Sequence, residues 1–170
     1  MIEDRKEFGV IKSTFKQEVN SYLSDLYNRS LDVIDKEFIP QNMFKRGDAD
    51  VFDRSYRNSV AQRNLPHALA FKSAYKEALN TEAKGGKFVV TTGAGNIKNR
   101  LEGIIKDLES EAFDYIEGSD LSFLESMSDE ELKQQLAQAY KEDELGAVIF
   151  YVSLYSLKNK MKKITNPAES

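Results

Sequence analysis

The residues that come nearest to a reactive arrangement are Val89-Val90-Thr91-Thr92-Gly93-Ala94-Gly95-Asn96-Ile97, a β-branched run, a glycine turn and the start of a helical pattern. Backbone N–H groups at such a helix start can bind phosphate. A dinucleotide fingerprint needs a third glycine, where Lys98 stands, and a P-loop needs a Gly-Lys-Ser/Thr that the chain lacks. The run therefore reads as a connection. The single histidine, His67, follows Pro66 at a helix start. As a general base it would need an orienting carboxylate, so it reads as structural. Asp48-Ala49-Asp50-Val51-Phe52-Asp53 lacks the glycine and terminal glutamate of a calcium loop, and Glu142-Asp143-Glu144 reads as a charged helix start. With no cysteine, thiolate ligands, disulfides and a Cys nucleophile are excluded. No set of residue types makes a catalytic centre, and no cofactor or metal is expected; the chain reads as non-enzymatic.

What remains is charge. Lys45, Arg46, Arg54 and Arg57, with Arg63 and Lys72, make a locally basic stretch in a chain whose formal net charge is −4. Lys158, Lys160, Lys162 and Lys163 follow near the C-terminus. These are the candidate contacts to a partner or to DNA. The alternative is a solvated face with local ion pairs and, for the lysines, compensation of a helix dipole.

The elements that carry these residues are mostly helical. Ile11, Phe15, Val19, Tyr22, Leu23, Leu26, Val33, Ile34 and Phe38 recur in steps of three and four, with Ser30 in the one gap. This spacing predicts a helix over 11–38, about 37 Å long at about 1.5 Å per residue, ended by Pro40. Residues 41–48 read as loop. Asp48 or Asp50 is a candidate cap for a short helix bearing Phe52, Tyr56 and Val60. Pro66 opens a helix over 66–82 with an alanine-rich stripe of Ala68, Phe71, Ala74, Tyr75, Ala78 and Leu79. Lys87–Thr92 reads as a short strand or extended arm. A helix over 96–117, capped by Asn96, carries Ile97, Leu101, Ile104, Ile105, Leu108, Ala112, Tyr115 and Ile116, with Gly118 at its end. After a connector with Leu121, Phe123 and Leu124, Ser128 and Glu131 form a capping box for a helix over 129–163, either continuous or broken at 142–144.

Leu145 to Leu157 carries no charge. It is too short to span a bilayer as a helix, which takes roughly 17–25 apolar residues. It reads as a central buried helix, with Val148, Phe150, Val152, Leu154 and Tyr155 in the core alongside Leu101, Ile105 and Leu108. The charged N-terminus has no apolar core behind it and reads as no secretory signal. The expected fold is mainly α: a single-domain bundle over 1–170 of long amphipathic helices and one short strand or extended arm. A loop-rich insertion is expected at about 41–64, and the arm at about 84–96. The residue pattern shows no internal repeat. An overlong helix, an unpaired strand and a long loop suggest an assembly protein acting through helical interfaces, with no membrane. A nucleic-acid accessory protein using Lys45–Lys72 and the C-terminal lysines is the alternative.

Leu145–Lys160, aliphatic, then Leu154-Tyr155, then basic, is similar to the closing helix of helical head–tail adaptor proteins of tailed bacteriophages. That resemblance implies a ring-forming homo-oligomer in a head–tail connector. Its partners would be the portal or neighbouring ring subunits, with DNA in the channel. The location would be the virion, or the host cytoplasm before assembly. The likeness carries no functional residue over.

Overall fold

The structure is a computed structural model that describes residues 5–39, 49–85, 90–119, 121–122 and 126–165. It is mainly α. The helices are α1 (Arg5–Val33), α2 (Ala49–Ala61), α3 (Leu65–Ala83), α4 (Val90–Glu117), α5 (Asp129–Lys141) and α6 (Leu145–Thr165), with a π-helical turn Ile34–Phe38 closing α1. The chain divides into two compact units. One holds residues 1–23 with 107–170, and the other holds 24–106.

In the 24–106 unit, α2 and α3 form a hairpin. Phe52, Tyr56 and Val60 are buried on α2, and Ala68, Phe71, Ala74 and Ala78 on α3. Alanine at these places lets two helix backbones approach. The C-terminal part of α1 completes this core. Ser30 fills the gap in its stripe by donating to Leu26 O at 2.7 Å, which satisfies the buried hydroxyl. In the π turn, Ile39 N donates to Ile34 O at 3.0 Å. The wider turn places both Ile34 and Phe38 in the core, with the Phe38 ring 4.9 Å from Phe71.

The other unit repeats this plan. Helices α5 and α6 form its hairpin, and the first turn and a half of α6, Leu145 to Phe150, is buried on all sides. Phe15 of α1 stacks on Phe150 at 5.1 Å. Val148, Phe150 and Leu154 are buried as expected, but Val152 is half-buried and Tyr155 exposed. On α4, Leu101 and Leu108 are buried and Ile105 is intermediate. Gly146 is needed for packing: a Cβ there would lie 2.6 Å from Glu111 Cβ.

The two hairpins share one turn. After α2, Arg63 N donates to Val60 O (2.9 Å) and Asn64 N to Ser59 O (2.8 Å), with Arg63 at φ 58°. After α5, Asp143 N donates to Tyr140 O (3.2 Å) and Glu144 N to Ala139 O (2.9 Å), with Asp143 at φ 57°. Both are Schellman caps built on a left-handed residue other than glycine. The break at 142–144 separates α5 from α6. Every position in these turns recurs 80 residues on, Gln62 to Glu142 and Asn64 to Glu144. The long helices match as well. Buried Val19, Leu23, Leu26, Ser30, Ile34 and Phe38 of α1 and its closing turn recur 78 residues on as buried Ile97, Leu101, Ile104, Leu108, Ala112 and Ile116 of α4. Against expectation the chain is therefore internally repeated, in burial and backbone turns more than in residue identity.

Three local expectations are corrected. Val90–Thr92 is helical, not strand or arm, and α4 runs unbroken through Gly93–Asn96; Lys87, Phe88 and Val89 lie outside the described residues. Strand propensity is worth about 1 kcal/mol at most, while an existing helix propagates by adding one hydrogen bond per residue. Asn96 thus lies inside α4 and caps nothing. Asp50 sits in the first turn of α2 rather than at its cap, and Asp48 lies outside the described residues. The Ser128 cap holds, its Oγ accepting from Glu131 N at 3.1 Å, and α3 is capped by Asn64, whose Oδ1 accepts from His67 N at 3.3 Å.

Replacing a helical glycine by alanine ordinarily stabilises a helix by about 0.5–1 kcal/mol. Gly146→Ala is expected to do the reverse, lowering stability by about 1–3 kcal/mol because of overpacking against Glu111. Urea unfolding followed by circular dichroism measures it.

Candidate interaction sites

Of the basic positions that the sequence singles out, those whose side chains are among the described residues are engaged. Arg57 Nη2 pairs with Asp53 at 3.1 Å, and Arg54 Nε reaches Asp50 O at 3.4 Å, both one turn along α2. Lys72 Nζ lies 5.4 Å from the centre of the Tyr56 ring. Lys158 is buried, donating to Met127 O and lying 3.8 Å from Asp129 at the start of α5. Lys160 pairs with Glu18. Lys162 and Lys163 fall in the last turns of α6. Lys45 and Arg46 lie outside the described residues. The described positions are thus spread over both units, and most of them serve as helix-to-helix or within-helix partners.

His67 has the carboxylate that its sequence context could not reveal. Glu37, in the π turn, lies 2.9 Å from Nε2. Nδ1 lies 3.1 Å from Asn64 Oδ1, an oxygen whose orientation is set by the cap it makes with the His67 backbone N–H. Both ring nitrogens are taken up by these two oxygens, so the ring ties the π turn to the start of α3.

Each unit also holds a cleft at a corresponding place, between the second hairpin helix and the N-terminal part of a long helix, with a buried carboxylate in its lining. In the 24–106 unit the cleft is about 390 Å³ and lies among Glu77, Asn80, Lys84, Asn96, Asn99 and Arg100. Glu77 is only 5% exposed. Its carboxylate accepts from Arg100 Nε at 3.1 Å and Asn96 Nδ2 at 3.4 Å. In the other unit a cleft of about 460 Å³ includes Glu18, Tyr22, Ser153, Tyr155, Ser156 and Asn159. Glu18, 9% exposed, accepts from Ser156 Oγ at 2.8 Å and from Lys160 Nζ. Ser153 Oγ is buried there without a hydrogen-bond partner, whereas its counterpart Ser73 donates to Leu69 O at 2.7 Å. Both buried carboxylates sit at places where periodicity alone reads as solvent face.

A third feature is aromatic and acidic. Tyr115 of α4, placed in the core by its spacing, is 45% exposed. Its ring lies 5.6 Å from Phe150, which meets Tyr151 edge-on at 5.2 Å. Partial burial, then Glu144 and Glu111, push the Tyr115 phenol above its ordinary value; burial, then Tyr115 and Glu144, do the same for Tyr151. Among the described residues no cluster of three or more His, Cys, Asp or Glu could hold a metal ion, and no described helix is long and apolar enough to cross a membrane.

No family model, curated protein or solved structure matches this chain.

The raised phenols make a pH prediction. A group that holds its proton more tightly when folded stabilises the protein fully below its unfolded pKa, near 10 for tyrosine, and that stability is lost as pH rises through the folded value. Thermal stability should therefore fall above about pH 10, and Tyr151→Phe should flatten that fall while leaving neutral-pH stability near wild type. A Tyr151→Phe profile that drops as steeply as wild type contradicts this account of the face.

Proposed function

We propose that this protein is a non-enzymatic assembly protein that works by presenting helical surfaces to protein partners. The observation that supports this most is the Tyr115–Phe150–Tyr151 face, flanked by Glu111 and Glu144. An exposed tyrosine backed by packed rings offers a rigid anchor at low entropic cost, and such residues dominate the energetics of protein interfaces. The neighbouring carboxylates favour a partner bearing lysine or arginine, which can sit over the rings and pair with the acids. The likeness of the Leu145–Lys160 segment to the closing helix of phage head–tail adaptors gives the reading its specific form, a ring subunit of a connector. The neighbours would then be the portal and further copies. The nucleic-acid alternative has less support, because Arg54, Arg57, Lys158 and Lys160 are engaged within the protein.

The test is light scattering and electron microscopy of the chain co-expressed with the proteins encoded beside it. The expected result is a defined particle, most directly a ring, that Tyr115→Ala weakens at least tenfold in apparent affinity, as expected for a hot spot worth more than about 1.4 kcal/mol. Its melting temperature should stay near wild type. Salt-sensitive DNA binding by the isolated chain, unchanged by Tyr115→Ala, would overturn this reading in favour of the nucleic-acid alternative.

A further inference from the structure

The repeated plan governs which segments pair. Each unit consists of a hairpin, the C-terminal part of the long helix that precedes that hairpin, and the N-terminal part of the long helix from the other half of the chain. In the 24–106 unit, α1 and α4 run antiparallel, as Asp35–Lys98 (2.7 Å) and Tyr27–Glu102 (3.1 Å) show. In the other unit, Lys12 and Lys16 of α1 reach Glu117 of α4. The first half of the chain (α1–α3) cannot complete its own hairpin; it accepts α4. The second half (α4–α6) accepts α1.

The two acceptor clefts share a position but have opposite polarity. In one the acid is on the hairpin helix, Glu77 of α3, and the cation on the incoming helix, Arg100 of α4. In the other the acid is on the incoming helix, Glu18 of α1, and the cation on the hairpin helix, Lys160 of α6. Glu18 and Asn96 are counterparts in the 78-residue match. If α1 docked on a first-half hairpin, Glu18 would take the place of Asn96, against Glu77: two buried carboxylates without Arg100, leaving only Lys84 at the end of α3 as a cation in that cleft. If α4 docked on a second-half hairpin, Arg100 and Lys160 would share a cleft with no acid. A buried carboxylate that loses its partner is strongly destabilising; the repulsion between Arg100 and Lys160, 41% and 62% exposed, is weaker because solvent screens it. Like-with-like pairing is therefore penalised, and first-with-second pairing is favoured.

We propose that Glu18–Lys160 and Glu77–Arg100 are pairing determinants: they select which long helix each hairpin accepts, and a second copy of this chain can donate that helix, giving an exchanged dimer of two complete pairs of units. Such exchange needs no new contact, because every interface it uses exists within one chain.

The experiment uses two full-length variants. The first carries Glu18→Arg and Glu77→Arg, so that each cleft holds two cations and no acid from these pairs. The second carries Arg100→Glu and Lys160→Glu, so that each cleft holds two acids. Each alone is expected to melt lower than wild type by on the order of 10 °C. Refolded together, the first half of each can pair with the second half of the other, and all clefts regain opposite charges. The expected result is a one-to-one heterodimer by light scattering, melting above either variant. A single chain with all four substitutions should also recover a melting temperature near wild type, which guards against variants that fail to fold alone. Equal melting of all variants, no recovery in the fourfold variant, or no heterodimer on co-refolding would each overturn the proposal.

Discussion

A carboxylate carried into a helical core must meet a cation or a set of donors, or it neutralises or unfolds its surroundings. Two such groups, Glu18 and Glu77, sit at the points where a long helix meets the second helix of a hairpin. Apolar stripes alone would allow either long helix to lie on either hairpin, since α1 and α4 bury the same periodic pattern. The ion pairs discriminate where the stripes do not. They contribute less to how tightly each unit packs than to which segments pack together, the role for which buried charge is best suited.

Around those pairs the fold uses ordinary devices. Alanine on α3 and Gly146 on α6 allow close approach. Buried hydroxyls such as Ser30 and Ser73 turn back to their own helix. The π turn places Phe38 in the core beside Phe71 and presents Glu37 to His67. That local irregularity joins the end of α1 to the first turns of α3 through both an aromatic contact and the Glu37–His67 contact.

The helices were largely legible in the sequence, because the stripes of α1, α2 and α4 keep to steps of three and four, Pro66 marks the start of α3 and Ser128 is a strong cap. Three things were not. Val90–Thr92 looks extended by composition, but helix propagation from the Ile97–Ile116 stripe decides its state. The repeat hides because equivalent places share apolar character more often than identity: Val19 answers to Ile97 and Phe71 to Tyr151, and some pairs change type outright, Ala78 to Lys158 and Glu77 to Leu157. Finally, a buried glutamate one helix away from its cation carries the same letter as a solvated one. Lys160 reads first as a dipole partner and second as a phosphate contact, and only the placement of Glu18 reveals its role.

Each hairpin is closed by the long helix of the other half of the chain, and cross-linking tests this most directly. The chain has no cysteine, so introduced pairs report without background. With a short bifunctional thiol reagent, Glu18→Cys with Ser156→Cys should cross-link within one chain in high yield. Glu18→Cys with Lys76→Cys, the counterpart of Ser156 in the first half, should not. Efficient cross-linking of the Glu18/Lys76 pair, with none for Glu18/Ser156, would contradict the account.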